Sequence, residues 1–439
     1  MSRVARAGPV LALLIAACPK APPPVPDLPG AGQAEAPAAF DGAPNGLVDA
    51  ETHKADLVAF DGVEDLADGL GPIYNAQSCR ECHQNPASGG GSQVSELRVG
   101  HRDANGRFVA PSIPIAGGAA VITGRTLVND RAICPNGAFP DQEIQERVPP
   151  GEDVRTFRLS LPLLGDGFIE AVADDVLRSI AAWQCRATGG RVCGKPMSVP
   201  VLEAPGQYAV GRFGWKAQQA SLLSFSADAY LNEMGITSRL LPEEFTTLCD
   251  SVADPEDKPG SDGLADVDHF ARFMRATQAP PRDRKLAATP EAEKGSRLFE
   301  RVGCAVCHLR TLVTAPAGTP LLGGAYRVPA PLGDRTFHPF GDFLLHDVGT
   351  GDGIAVAVLE HHGRRYLSMQ PEFDAAANLL RTPPLWGLRT RSRLMHDGAS
   401  LTPRDAILRH QREASDARRL FEQLSDAEQE QLLTFLRSL

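Results

Sequence analysis

The chain has 439 residues, 43% of them hydrophobic and 6% aromatic, which allows two or three domains with substantial cores and excludes a fibre or a long disordered polymer. A formal net charge of -10 and a pI near 5.6 exclude the basic face that nucleic acid requires, and suit instead a basic protein partner.

In chain order, Arg3 and Arg6 precede a short apolar run from Val10 to Ala17, and Ile15-Ala16-Ala17-Cys18 has the form of a bacterial lipobox. The run is too short to stay in a bilayer as a helix. Residues 1–18 therefore read as a lipoprotein-type signal peptide. Cys18 would carry the lipid anchor on the periplasmic side of a bacterial membrane; an ordinary cleaved signal would leave the protein soluble in the periplasm. Residues 19–46, rich in Pro, Ala and Gly, read as a flexible tether.

A first domain is expected over 47–282. It contains Cys79-Arg80-Glu81-Cys82-His83, followed by a glycine run, Gly89-Gly90-Gly91, that predicts a tight loop. Ser95 to Val99 and Val154 to Leu161 alternate as short strands. Asp166 to Trp183 has Phe168, Ile169, Val172, Val176, Leu177 and Ile180 at helical spacing, and a second helical run is expected from Gly211 to Met234. Cys249 to Gly263 is an acidic loop whose Asp250, Asp254 and Asp262 could hold calcium, although the regular EF-hand spacing is missing. A helix from about Leu264 to Ala276 ends before Pro280-Pro281, the expected boundary.

The second domain, 283–439, opens with Thr289 as N-cap, Pro290 at the first helical position and Glu291 and Glu293 in the first turn, leading into Cys304-Ala305-Val306-Cys307-His308. Thr402 and Pro403 announce a helix expected to carry His410. Ser425-Asp426-Ala427-Glu428 is a capping box, and Leu432, Leu433, Phe435, Leu436 and Leu439 form the apolar stripe of the last helix.

The two Cys-x-x-Cys-His pentapeptides carry the chemistry. Two thiols three positions apart can form thioethers to the vinyl groups of one haem, with the adjoining histidine beneath the iron. With nine cysteines in the chain, two accidental copies are negligible. A zinc site would need further Cys or His ligands nearby, and a thioredoxin-like pair a βαβ context; neither is present. Two haem c groups are therefore expected, at Cys79, Cys82 and His83 and at Cys304, Cys307 and His308. With Cys18 and these four set aside, Cys134, Cys185, Cys193 and Cys249 predict two disulfides in an oxidising compartment, Cys185–Cys193 being the local pairing. For the sixth position on the second iron, His410 leads, with Met395 and His396 as competitors; for the first, His101 and Met234 are the candidates.

Gly71-Pro72-Ile73-Tyr74-Asn75-Ala76-Gln77-Ser78-Cys79, Gly211 to Ala217, Asn232 to Ser238, His346-Asp347-Val348-Gly349 and Arg381-Thr382-Pro383-Pro384-Leu385-Trp386-Gly387 resemble segments of the di-haem oxidoreductases, relatives of the bacterial di-haem cytochrome c peroxidases. The resemblance runs from about residue 47 to the end. It implies a mainly α protein of two cytochrome c-type haem domains, the N-terminal one enlarged by irregular and β segments. It also implies peroxide reduction at the N-terminal haem, with electrons relayed through the C-terminal haem from a small cytochrome or cupredoxin or a quinol-linked donor. The alternative is a non-catalytic di-haem electron carrier. In the peroxidase relatives an Arg-Thr-Pro segment precedes a His-x-Gly and then the axial ligand of the C-terminal haem. Arg381-Thr382-Pro383, His396-Asp397-Gly398 and His410 fall on that order, with histidine where the relatives usually have methionine. The same resemblance suggests Glu170 as a proton shuttle, Trp215 as an electron carrier between the haems, and His346 and Arg381 as propionate partners.

Overall fold

The computed structural model describes residues 34–250, 252–355, 360–361, 364–365 and 375–439. The expected signal sequence of residues 1–18, with Cys18, and the first part of the expected 19–46 tether lie outside the described residues. Residues 34–46, expected to belong to the tether, are instead docked on the folded chain. Ala34–Glu35 pairs in parallel with Arg335–Thr336, Ala38 bridges Ala279, and Asn45 Nδ2 donates to the carbonyls of Arg275 and Thr277 at 2.8 and 3.0 Å. Such a segment has no internal period to order it; partners for its backbone groups come from the neighbouring chain.

Helix makes up 31% of the described residues and strand 16%, and most strands are only two or three residues long, so helices set the architecture. In the N-terminal half, helices Ala50–Asp61, Leu222–Ala229 and Asp266–Ala276 pack around Phe60, Phe270, Phe273 and Tyr230. The two expected strands form and pair with each other: Ser95–Arg102 runs antiparallel to Val154–Leu159, with Leu97 opposite Phe157. The disulfides are Cys185–Cys193, as the spacing suggested, and Cys134–Cys249. No helix among the described residues is long and apolar enough to cross a membrane.

Two expected helices are shorter than their apolar periodicity. The run from Asp166 breaks into Asp166–Glu170 and Asp174–Ala187, because Ala173 is extended (φ -69°, ψ 143°). The cause is Arg212. Its buried guanidinium takes the carbonyls of Ile169, Glu170 and Val172, which a continuing helix would have used internally. Arg212 in turn lies in a compact turn from Gly211 to Ala220, in which the Arg212 and Phe213 amides donate to the Gln219 carbonyl. The second helix therefore starts only at Leu222, where Ser221 accepts the Ser224 amide at 2.9 Å.

In the C-terminal half the caps act as expected. Thr289 accepts the Ala292 amide ahead of Pro290–Arg301, and Ser425 and Glu428 form the reciprocal box of Asp426–Arg437. These two helices cross at Gly295, where an added Cβ would lie 1.9 Å from the Gln431 carbonyl oxygen and 2.8 Å from Phe435 Cβ. Leu298, Phe299, Phe340, Phe421, Leu432, Phe435 and Leu439 form the local core. The larger core is continuous across residue 282, running from Phe60 and Phe168 through Leu309, Phe337 and Phe343 to Trp386.

Gly295→Ala should lower the unfolding temperature. Helix propensity alone would gain about 1 kcal/mol, but separating the two helices should cost about 1–3 kcal/mol more than that gain. A thermal melt of the variant at or above that of the parent would show that the crossing is looser than the structure has it.

Candidate cofactor-binding site

A cavity of about 490 Å³ is lined by Cys304, Cys307, His308 and His410, and by Arg381, Trp215 and His396. The Pro290–Arg301 helix delivers the second motif to it: Val302 closes the helix, Gly303 turns with φ +92°, and the His308 amide donates to the Cys304 carbonyl. His410 comes from the opposite side. It does not sit on the Pro403–Leu408 helix but just beyond it, after Arg409 closes the last turn.

The hydrogen bonds of these two imidazoles fix their protons. His308 Nδ1 lies 3.0 Å from the Phe340 carbonyl oxygen and His410 Nδ1 lies 2.7 Å from that of Ala406. A carbonyl oxygen can only accept, so both Nδ1 atoms carry hydrogen and both Nε2 atoms keep a free lone pair. Burial pulls the His308 pKa down to about 4, with His410 nearby lowering it further, and burial lowers that of His410 too. Two neutral imidazoles with Nε2 available at one cavity are the donor set that a bis-histidine iron takes.

The first motif is a helical turn, Cys79–Cys82, closed by the His83 amide donating to the Cys79 carbonyl at 3.1 Å. The glycine run folds back on it, the Gly89 amide donating to the His83 carbonyl at 2.9 Å. The Phe60 ring stands 6.5 Å from that of His83. Burial draws His83 down to about 4, and its Nδ1 is buried without a hydrogen-bond partner. All four motif cysteines are free, whereas the other four described cysteines are paired. Burial pushes the Cys82 and Cys304 thiols up to about 12 and raises Cys79 and Cys307 as well. Protonated thiols of this kind are poor nucleophiles for disulfide exchange. The reduced pairs, the pinned imidazoles and the cavity between them fit a covalently held haem.

The remaining candidates lie in varied settings. His101 is on the Ser95–Arg102 strand opposite Val109, with Nδ1 2.8 Å from Glu152. Strand pairing holds its backbone. Met234 is 3% exposed within the main core, at the end of the Tyr230–Met234 helical turn. Glu170 is fully buried, bound through both oxygens to Arg275 at 2.6 and 2.9 Å and accepting the Leu222 amide at 2.8 Å. It does not line the cavity, and its hydrogen-bonding capacity is committed to structure.

A different carboxyl pair lies beside the first motif. Glu96 and Glu233 share one cation, Arg98, at 2.8 and 3.7 Å, and both act electrostatically on Cys82. Burial and the charge of Glu96 push the Glu233 pKa up. Glu233 lies beside Met234 in the Asn232 to Ser238 segment, so its place in the sequence carried a signal.

Trp215 belongs to the Gly211–Ala220 turn rather than to a helix, and its Nε1 donates to the Leu159 carbonyl at 2.7 Å. His396 meets it edge-on at 6.1 Å, and the His396 carbonyl accepts the Leu159 amide. His346, 1% exposed, is held by Asp342 at 3.0 Å and Glu413 at 2.8 Å, beside Cys307 Sγ at 3.8 Å. Arg381 donates from Nε to the Gly214 carbonyl. Burial lowers Arg381 to about 10, and Arg391, which the sequence analysis missed, also falls to about 10 because of burial and the charge of Arg381. Arg381 is buried and Arg391 half-buried at one cavity wall, with Asp166 and Asp342 acting on Arg381; the two carboxylates of a haem have the charge and the forked geometry that guanidiniums take.

The expected calcium ligands do not converge. Asp250 accepts the Val252 amide, Asp262 accepts the Leu264 amide and faces His269, and only Asp254 belongs to an acidic cluster, with Glu244 and Glu256.

One buried ion network braces the Trp215 wall. Asp352 accepts from Arg158 Nε at 2.8 Å and from Lys216 Nζ at 3.0 Å. Burial alone would raise the Asp352 pKa, but the two cations outweigh it and hold the carboxyl well below the usual range. A depressed carboxylate contributes stability above its unfolded pKa near 3.9 and loses it as pH falls through the folded value. Asp352→Asn should therefore cost about 3–5 kcal/mol at neutral pH, with the gap from the parent narrowing below pH 4. Denaturant unfolding at pH 7 and pH 3 checks this; a difference that does not shrink in acid refutes the assignment.

Among curated proteins none matches the sequence. Similar solved structures include the hydrazine synthase of Kuenenia stuttgartiensis, at 14% identity over 100% of both chains with a TM-score of 0.37. The dihaem peroxidase BthA of Burkholderia thailandensis is similar at 15% identity over 75% of this chain and 95% of its own, TM-score 0.31. A MauG-like protein associated with microbial copper homeostasis is similar at 17% identity over 69% and 95%, TM-score 0.30. The family described as "Di-haem oxidoreductase, putative peroxidase" matches residues 141–439, which contain Cys304, Cys307, His308 and His410, while Cys79, Cys82 and His83 precede the matched span. That span is more than half of the chain, and the protein belongs to the di-haem oxidoreductase family.

Proposed function

We propose that this protein is an exported di-haem c-type peroxidase, with one haem held by Cys79, Cys82 and His83 and the other by Cys304, Cys307, His308 and His410. When bound, the haem irons supply the electron storage and transfer that peroxide reduction to water requires. The observation that carries the reading is the asymmetry between the two histidine sites. At the second, two imidazoles of fixed tautomer, His308 and His410, share one cavity. At the first, His101 is occupied with Glu152 on a strand and Met234 is packed in the core. The second site is thus suited to electron entry and the first to binding peroxide.

The chain's own residues have distinct tasks in this scheme. Arg381 and Arg391 neutralise the carboxylates of the second haem. The Trp215 indole, locked by Leu159 and edge-on to His396, gives an aromatic path along the wall between the sites. Near the first site burial and the charge of Glu96 outweigh Arg98 and Arg125 and raise the Glu233 pKa; Glu233, accepting from Asn75 at 3.0 Å, is the acid that donates to the leaving oxygen. Glu170 is left a structural role.

The acidic surface suits a small basic cytochrome or cupredoxin as donor, with a quinol-linked donor as the alternative. The lipobox at Cys18 would place the enzyme on the periplasmic side of a bacterial membrane.

Protein made in a host that attaches haem c should gain the mass of two haems and oxidise a reduced donor in a peroxide-dependent way. Absence of the added mass, or two low-spin irons that ignore cyanide and peroxide in oxidised and half-reduced forms, would overturn the enzyme. His410→Met should leave the second iron six-coordinate while raising its potential; a redox titration with an unchanged midpoint refutes His410 as ligand. Glu233→Gln should lower kcat about a hundredfold while the absorption spectrum is retained, and an unchanged rate excludes it as the acid.

A further inference from the structure

We propose that Glu244, Asp254 and Glu256, braced by Thr237, form a calcium-binding site remote from the haem cavity. None of these residues lines that cavity, so the proposal stands or falls independently of the haem assignment. The ligand atoms of the three carboxyl groups all lie within 4.8 Å of one another. A hard cation with oxygen bonds of about 2.3–2.6 Å spaces its opposite ligands about 5 Å apart. The cluster is therefore of a size to close on one ion.

The second observation is the state of Glu244. It is 5% exposed, both of its carboxyl oxygens are buried, and among the described residues none outside the acidic cluster donates a hydrogen bond to them; Glu256 is the neighbour they face. Glu256, 9% exposed, stands beside it, and no Lys or Arg pairs with either among the described residues. Burying two carboxylates together is costly unless a proton or a cation sits between them.

The rest of the site is already in place. Glu256 Oε2 accepts the Thr237 amide at 2.7 Å, and Thr237 Oγ1 lies 2.9 Å from Asp254 Oδ1 and 3.0 Å from Glu256 Oε2. The Glu256 amide donates back to Thr237 Oγ1 at 3.1 Å. Asp254 is exposed and offers the entry path. An all-oxygen set without histidine or thiolate selects a hard cation, and its irregular spacing suits calcium better than octahedral magnesium. The ion would clamp a loop that matters to the fold. Next to Glu256, Asp257 accepts the Asp266 amide that starts the Asp266–Ala276 helix, and Gly69 packs against the Glu256 side chain.

Calorimetric titration of Ca²⁺ into the chelator-treated, haem-loaded protein should give one site, with affinity falling at least tenfold in Glu244→Gln and in Asp254→Asn and with Mg²⁺ binding more weakly. Calcium should raise the unfolding temperature of the parent and leave that of Glu244→Gln unchanged. Should Glu244→Gln fail to fold, Asp254→Asn at the exposed edge carries the comparison. A parent protein that takes up no Ca²⁺, or variants that bind it as tightly as the parent, would overturn the site.

Discussion

A carbonyl oxygen has no proton to give, and two of them set the chemistry of this protein. Phe340 and Ala406 each hold the Nδ1–H of a buried histidine, so His308 and His410 both turn a free Nε2 to the same cavity. With either carbonyl displaced, the corresponding imidazole would be free to take the other tautomer and rotate. Secondary structure exists here largely to deliver those two carbonyls and two rings. The Pro290–Arg301 helix and its glycine crossing with Asp426–Arg437 fix the second motif turn, while the end of Pro403–Leu408 presents Ala406 and His410 together.

Charge is the second constraint. The cavity wall carries Arg381 and Arg391, both lowered by burial, next to His346, whose pKa burial pulls down but Cys307 and Asp342 together raise above its ordinary value. Isolated, such groups would be expensive. The fold tolerates them where compensation is local, as in the Arg158–Asp352–Lys216 network behind Trp215, or where an anionic ligand is expected. The same reasoning separates two buried glutamates. Glu170 has its guanidinium and is structural; Glu244 has none and marks an incomplete site.

Several local features were legible before any coordinates. The N-caps at Thr289, Thr402 and Ser425, the antiparallel strand pair, the Cys185–Cys193 link and the apolar stripe of the last helix follow from short-range stereochemistry and read directly from spacing. Helix lengths around Ala173 and Leu222 did not, because the deciding group was Arg212, some forty residues away from the carbonyls it captures. The docking of residues 34–46 escaped notice for a similar reason: its partners lie at 275–279 and 335–336.

What the sequence by itself determined is the covalent and local chemistry: two Cys-x-x-Cys-His motifs, four further cysteines to pair, and histidine at 410. Those depend on residues within a few positions of one another. Tertiary structure alone decided that Glu170 is tied to Arg275, that His101 is bonded to Glu152, that Arg391 joins Arg381 and that Glu244 meets Asp254 and Glu256. The physical reason is that a carboxyl or imidazole takes its role from the charge and the proton nearest to it, and in each of these cases, apart from the neighbouring arginines, the deciding contact spans a turn or a large stretch of chain that no periodicity encodes.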